Sequence, residues 1–428
     1  MATTHKLQPY AAGAGGNVRV PGSKSLTNRA LLLCALADGQ SRLSGGLESE
    51  DSQVMQAALQ ALGVGIDKTA EAWTVSGVGG CFAAGDHDLY LGNAGTAMRF
   101  LSAAAVLGNG RIRLHGKPRM HERPIADLIT ALRQLGGEIV SEAETGCPPV
   151  VITASGGLPG GKCSISGKTS SQFLTALLHI APCTHRGVRL QIEPPLVSQP
   201  YLEMTIGLLQ QFGVEVDEHG PLDLEVRPQP IQPIALEIEG DASAAAHVFA
   251  LAVAAGGSVT ITNFPQPSLQ GDAAFTHVLE RFGASVKATT MGTTVTMQSE
   301  LQPLGEIDLE HIPDAGMSAV VLAALARGTT RCTGLSTLRH KECDRIAALE
   351  QNLRACGAAV SSGPDWIEVD GDPDRLHGAD IATFDDHRVA MSLAAVGTRI
   401  PGIVIEDPEC VGKTFPQFWQ VFEQCRAA

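Results

Sequence analysis

The chain has 428 residues, more than one hydrophobic core ordinarily serves, so two domains of roughly 200 residues each are expected. Hydrophobic residues make up 44%, charged residues 18% and aromatics only 4%, which calls for an interior of Ala, Leu, Val and Ile in layered α/β packing. A formal charge of -14 excludes a general binder of nucleic acid or of anionic membrane, both of which need a broad basic surface; an anionic ligand would have to meet a local cationic cluster.

The chain opens with Gln8, Pro9 and a run of Gly and Ala up to Gly16, without the apolar stretch of a secretory signal. No later run approaches the length of a membrane span. Ten cysteines without a CxxC pair fit reduced thiols, and a cytoplasmic protein is expected. An orphan apolar segment lies around Lys6 to Tyr10. From there two patterns alternate. The first is a short apolar stretch, a polar turn and an Ala/Leu-rich helix: Val18-Arg19-Val20 with Lys24, Leu89-Tyr90-Leu91 with Asn93, Cys163-Ser164-Ile165 with Ser170, Leu236-Glu237-Ile238 with Asp241, Ile307-Asp308-Leu309 with Asp314, and Ile381-Ala382-Thr383 with Asp386. The second reads Leu-x-x-apolar-Gly-x-x-apolar and runs over 59–66, 132–139, 209–216, 279–286 and 353–360. Its glycines, Gly63, Gly136, Gly213, Gly283 and Gly357, each fit a helix stopped in the left-handed conformation and followed at once by a strand.

The spacing of about 70 to 77 residues defines six α/β units with two helices each, three units per domain. The last helix, about Phe415 to Arg426, has no strand after it, so the N-terminal segment is expected to complete the sixth unit. This puts the first domain at 23–240 and a second, discontinuous domain at 1–22 plus 241–428, with Gly22 and the Pro228 to Pro233 stretch supplying the turns.

The turns carry the chemistry. A helix N-terminus offers unpaired N–H groups and partial positive charge to a phosphate or carboxylate. Lys24, Arg29, Arg99, Arg123, Lys341, Arg345, Arg388 and Lys413 all fall at or near predicted helix starts, the end that disfavours cations; eight placed this way by one repeat point to anionic ligands. Two nucleotide motifs are excluded: Gly22-Ser23-Lys24-Ser25 lacks the glycine before the lysine of a P-loop, and Gly13 to Val18 breaks the dinucleotide fingerprint at its last position.

The segments 21–33 (PGSKSLTNRALLL) and 91–99 (LGNAGTAMR) resemble the EPSP synthase family of enolpyruvyl transferases, and the likeness continues through 118–124 (PRMHERP), 170–175 (SSQFLT), 198–201 (SQPY), 312–315 (IPDA), 341–345 (KECDR), 386–388 (DHR) and 413–416 (KTFP). The resemblance implies two inside-out α/β barrels and transfer of the enolpyruvyl group of phosphoenolpyruvate to the 5-hydroxyl of shikimate 3-phosphate, with no metal or organic cofactor, no nucleic-acid or membrane partner, and a monomer. It implies that Lys24, Ser25, Arg29, Ser170, Ser171, Gln172, Ser198, Tyr201, Asp314, Thr337 and Lys341 address shikimate 3-phosphate. Lys24, Asn93, Gly95, Arg123, Gln172, Arg345, Arg388 and Lys413 would meet phosphoenolpyruvate in an interdomain cleft. Asp314 and Glu342 would be the acid/base pair, with Lys24 and His387 as further catalytic candidates, although in isolation Asp314 also fits a helix cap after Pro313 and Glu342 a pair with Arg345 one turn on.

Two residues depart from the family pattern: Thr337 stands where asparagine is usual, and Phe100 where proline is. The resemblance also implies that glyphosate competes with phosphoenolpyruvate. The related transferase acting on UDP-N-acetylglucosamine carries a reactive cysteine where this chain has Pro118, which disfavours that alternative. A catalytically silent anion-binding paralogue is the other alternative, disfavoured by the presence of Asp314, Glu342 and every cation.

Overall fold

A computed structural model describes residues 3–427. Among these are twelve α-helices: α1 (Lys24–Leu36), α2 (Glu50–Ala61), α3 (Gly95–Ala104), α4 (Ala126–Gln134), α5 (Ser171–Ile180), α6 (Gln199–Gln211), α7 (Ala242–Ala255), α8 (Phe275–Arg281), α9 (Pro313–Leu325), α10 (Arg345–Ala355), α11 (His387–Gly397) and α12 (Phe418–Gln424). The chain separates into two compact units: a central one, Gly22–Ile238, and a terminal one made of residues up to Pro21 together with those from Glu239 on.

Helices α2, α4, α6, α8 and α10 all stop by the same device. The N–H groups of Val64, Gly137, Val214, Ala284 and Ala358 donate to the carbonyls of Leu59, Leu132, Leu209, Leu279 and Leu353 at 2.8 to 3.0 Å. The glycine just before each donor has φ between 75° and 101°, which closes a Schellman motif that a side chain at that position would strain.

Each of five sheets has four strands in one order: a first strand parallel to a second, the second antiparallel to a fourth, and the fourth antiparallel to the third at the edge. The sixth sheet has three described strands, and Thr4–Lys6 takes the fourth place, antiparallel to Val404–Glu406. The N-terminal strand thus ends at Lys6, short of the expected segment; Leu7 and Tyr10 continue it as buried core residues. The last helix is shorter than expected, beginning at Phe418 instead of Phe415.

By the repeat pattern the stretch around Val18 heads the first repeat and that around Leu236 the fourth, while the expected domain bounds leave each across the boundary from its helix. Asn17–Val18 pairs with Gly257–Ile261 in the terminal unit, and Ala235–Glu237 pairs with Gln40–Ser44 in the central unit. At both crossings the chain leaves its strand in one unit and places the following helix in the other, so each first strand serves the other unit's repeat.

In each unit the first helix of every repeat is the innermost. In the central unit α1, α3 and α5 touch one another and are buried on almost every side; in the terminal unit α7, α9 and α11 do the same, with Ala-rich sequences that allow close approach. The second helices bury one stripe only, as α4 does with Leu128, Ile129, Ala131 and Leu132. Strands alternate: Ile112 and Leu114 are buried while Arg111 and Arg113 point outward. Sites are therefore built where the inner helices begin.

Candidate active site

In the central unit α1 begins immediately after Gly22, where a Cβ would come within 3.0 Å of the Gly45 carbonyl carbon. Ser23 caps the helix by accepting from Leu26 N–H, and Lys24 follows as its first residue, with Nζ 3.5 Å from Asp51 Oδ2. One turn on, Arg29 is 2% exposed. Its Nε donates to Thr205 Oγ1 at 2.9 Å, Nη1 to the Ser25 carbonyl at 3.0 Å, and Nη2 to Thr175 Oγ1 and the Tyr201 carbonyl, both at 3.3 Å. All four acceptors are neutral. Burial without a counter-charge lowers the guanidinium to about 10.

A second cation of this unit lies on a glycine. Arg123 Nη1 donates to the Asn93 carbonyl at 3.1 Å and to Asn93 Oδ1 at 3.3 Å. Its guanidinium occupies the space over Gly95, the first residue of α3: a Cβ there would stand 2.7 Å from Arg123 Cζ. Asn93, Gly95 and Arg123 are therefore one constellation. Ser170 caps α5, accepting from Gln172 N–H at 3.2 Å, and Ser171 is the first helical residue. Ser198 opens α6 with φ 54° and ψ 43°, a left-handed conformation that a serine adopts at a cost and that marks functional loops; the Tyr201 N–H donates to its carbonyl at 3.1 Å.

The terminal unit gathers its candidates into one ion network. Arg345, the first residue of α10, has a side chain 1% exposed. Its Nη1 is 2.8 Å from Asp314 Oδ1, Nη2 2.9 Å from Glu342 Oε2, and Nε 2.7 Å from Asp386 Oδ2. Lys413 Nζ lies 2.9 Å from Glu342 Oε1, Lys341 Nζ 3.5 Å from Asp314 Oδ1, and Arg388 Nη2 3.6 Å from Asp314 Oδ2. Burial pushes the Asp314 carboxyl up, but the charges of Lys341, Arg388 and Arg345 overcome it and hold it well below the usual carboxylate range. Lys341, Arg345, Arg388 and Lys413 thus surround Asp314, Glu342 and Asp386 with positive charge.

Not every candidate is at a helix start. Lys413 ends the 3-10 helix Pro408–Lys413 and Lys341 follows the one at Ser336–His340; both are carried by short connections instead of α-helix N-termini. Pro118 opens another 3-10 helix, Pro118–Glu122, just before Arg123. Thr337 Oγ1 is buried without a hydrogen-bond partner among the described residues. His387 is fully buried, with Nδ1 3.7 Å from Asp386 Oδ1.

Three contributors were missing from the sequence-based set. Asp386 grips Arg345 by two hydrogen bonds while capping α11 through Arg388 N–H; its place in the DHR segment was the available signal. Asp51 pairs with Lys24. Asp272 accepts from Ser243 Oγ, and burial together with the Asp314 charge raises its carboxyl to about 7.

Fold and side chains together define an α/β protein whose two units each present buried cations suited to small, multiply charged anions. The sequence description of EPSP synthase (3-phosphoshikimate 1-carboxyvinyltransferase) matches residues 12–422, and the chain belongs to that family. A 3-phosphoshikimate 1-carboxyvinyltransferase of Shewanella halifaxensis is 42% identical over 422 residues, covering 97% of this chain and 98% of the relative. One of Cellvibrio japonicus is 42% identical over 421 residues, covering 97% of each. An EPSP synthase structure from Acinetobacter baumannii superposes with a TM-score of 0.81 at 25% identity, covering 99% of this chain and 98% of that one.

Proposed function

We propose that this chain transfers the enolpyruvyl group of phosphoenolpyruvate to the 5-hydroxyl of shikimate 3-phosphate, releasing phosphate. The observation that carries the reading is the buried network in which Arg345 bridges Asp314, Glu342 and Asp386 while Lys413 holds the other oxygen of Glu342, in a chain of the EPSP synthase family.

In the proposed reaction Asp314, kept ionised by its cations, accepts the proton of the 5-hydroxyl as that oxygen bonds to C2 of phosphoenolpyruvate. Glu342 delivers a proton to the methylene carbon. For this Glu342 must carry a proton, and the substrate's own phosphate and carboxylate supply the means by drawing Arg345 and Lys413 toward themselves. The tetrahedral intermediate then loses its C2–O bond to phosphate. The methyl group returns its proton to Glu342, the double bond re-forms, and the proton on Asp314 leaves with the phosphate. Lys24, Arg123, Arg388 and Lys413 would stabilise the charge on the departing group, with Asn93, Gly95 and Gln172 beside them. Shikimate 3-phosphate would be held by Lys24, Ser25, Arg29, Ser170, Ser171, Ser198 and Tyr201, joined by Thr337 and Lys341, with His387 steadying Asp386.

This reading includes the finer architecture of two inside-out α/β barrels, 23–240 and 1–22 plus 241–428, each lending cations to one reaction. It also includes a cytoplasmic monomer working without a cofactor and inhibited by glyphosate in competition with phosphoenolpyruvate. Supporting the barrel form, the first helix of every repeat is buried at the centre of its unit and a strand such as Asn109–His115 alternates buried with outward residues. The test is to mix the protein with both substrates and follow phosphate release, with the carboxyvinyl product checked by mass. Binding of both compounds without any phosphate would overturn the reading in favour of a silent anion-binding protein.

A further inference from the structure

Three inner helices of the central unit meet around one charge. α1 brings Arg29, α3 brings Phe100 and α5 brings His179. The Arg29 guanidinium carbon lies 5.5 Å from the Phe100 ring centroid and 5.9 Å from that of Tyr201. Phe100 in turn stands edge-on to His179, with centroids 4.9 Å apart and ring planes at 90°. Phe100 and His179 are both 0% exposed.

His179 is an odd choice for a space-filler. Neither of its ring nitrogens has a hydrogen-bond partner among the described residues, and an unmet polar atom in the interior costs stability that Leu or Met would not. Burial and the nearby Arg29 charge keep the ring neutral. What His179 supplies is a flat, rigid ring one turn beyond Thr175, the α5 residue that accepts from Arg29 Nη2. The hydrogen bonds to Thr205, Ser25, Thr175 and Tyr201 hold the guanidinium by its edges, and its faces are left to the rings packed against them. A planar fork recognises a carboxylate well only when its plane is set, and an aromatic face sets it.

We infer that Phe100 and His179 are positioning residues for Arg29: His179 fixes the plane of the Phe100 ring, and the Phe100 face fixes the guanidinium. The second N–H of Nη1, beside the one that donates to the Ser25 carbonyl, is then presented to the carboxylate of the bound shikimate 3-phosphate. The inference rests on the reading of Arg29 given under the proposed function. It assigns a substrate-affinity role to the residue at which this chain departs from the family's proline, and to a histidine that never touches the ligand.

Three variants test it, with kcat, both KM values and the Kd for shikimate 3-phosphate alone measured for each. F100L conserves volume but removes the aromatic face, H179A removes the ring that orients it, and H179F restores a flat ring without nitrogens. F100L and H179A are expected to raise the KM and Kd for shikimate 3-phosphate by about 3- to 10-fold, leaving kcat and the KM for phosphoenolpyruvate close to wild type. H179F is expected to return both to the wild-type values. A cooperatively melting F100L with unchanged Kd overturns the inference, as does a fall in kcat at constant KM, or an H179F that behaves like H179A. F100L carries the test alone if H179A does not fold. A wild-type chain that binds shikimate 3-phosphate but releases no phosphate would instead count against the proposed reaction, while the Kd comparison still decides this point.

Discussion

Arg29, one turn into α1, and Arg345, the first residue of α10, are both buried arginines, yet they live in opposite electrostatic company. Arg29 has four neutral acceptors and is lowered to about 10. Arg345 has three carboxylates, and although burial opposes it, Asp386, Glu342 and Asp314 hold its charge firmly in place. Under the proposed function, an anion at Arg29 would complete an unfinished ion pair, which is binding. One near Arg345 would compete with carboxylates already there and, by loosening them, change which of them can hold a proton, which is chemistry. The contrast teaches that two buried arginines of similar exposure suit different tasks according to the charges around them.

The contrast is open to attack at several points. The largest effect is expected from Glu342→Gln, which should cut kcat by about 100- to 10,000-fold, the usual worth of a positioned acid/base group, while the Kd for shikimate 3-phosphate stays near wild type; a calorimetric Kd that collapses along with kcat would blur the division. Next, Arg345→Met should lower the unfolding free energy by about 3–5 kcal/mol, because it leaves buried carboxylates uncompensated, and a urea midpoint reads this directly. Arg29→Met should do the reverse to stability, leaving it level or raised, since Thr175 and Thr205 still hydrogen-bond each other at 2.8 Å. The same change should weaken shikimate 3-phosphate by about 1.5–3 kcal/mol. Matching stability losses in the two arginine variants would refute the comparison.

Smaller effects sharpen it. Gly95→Ala puts a methyl against the Arg123 guanidinium and should raise the KM for phosphoenolpyruvate by roughly tenfold, or about 1.4 kcal/mol, with KM for the other substrate unmoved. Each unit also holds a buried histidine that its surroundings keep neutral. His179 is depressed by burial and then by Arg29, and His247, 2.8 Å from Ser318 Oγ, by burial and then by Arg388 and Arg345. Because each folded value lies below the unfolded 6.5, the unfolded chain takes up the proton first. Stability is therefore complete above about pH 6.5 and falls below it, by about 1 kcal/mol per histidine on going from about pH 7 to about pH 5.5. Across that range H179F and H247L, followed by urea midpoint, should each fall by one such increment less than the wild type.

Local signals in the sequence specify much of this molecule. The leucine and glycine of the five helix stops are six residues of pattern or fewer, and they reappear as five identical Schellman closures because the geometry is set by one left-handed glycine. Cations at unfavourable helix ends marked Lys24, Arg345 and Arg388 for the same reason. What could not be read depends on where distant segments return. Whether the strand at Val18 pairs with Gln40–Ser44 or with Gly257–Ile261 is decided by the path of the crossing, and either partner satisfies the same alternation of side chains. The clamp of Asp386 on Arg345 spans 41 positions, and the partners of Arg29 lie 146 and 176 positions away; no periodicity reports such pairs. Phe100 was visible as a departure, but its contact with His179 was not.

The placement of Thr4–Lys6 against Val404–Glu406 and of Asn17–Val18 against Gly257–Ile261 has a consequence for synthesis. A nascent chain can close the central unit as soon as Ala235–Glu237 has left the ribosome. Asn17–Val18 must wait, its edge unsatisfied, for Gly257–Ile261 to emerge, and Thr4–Lys6 waits longer still, for Val404–Glu406. Folding of this protein is therefore expected to be ordered in time, with a finished middle held between two unfinished ends, and aggregation of translation intermediates should begin at those waiting edges.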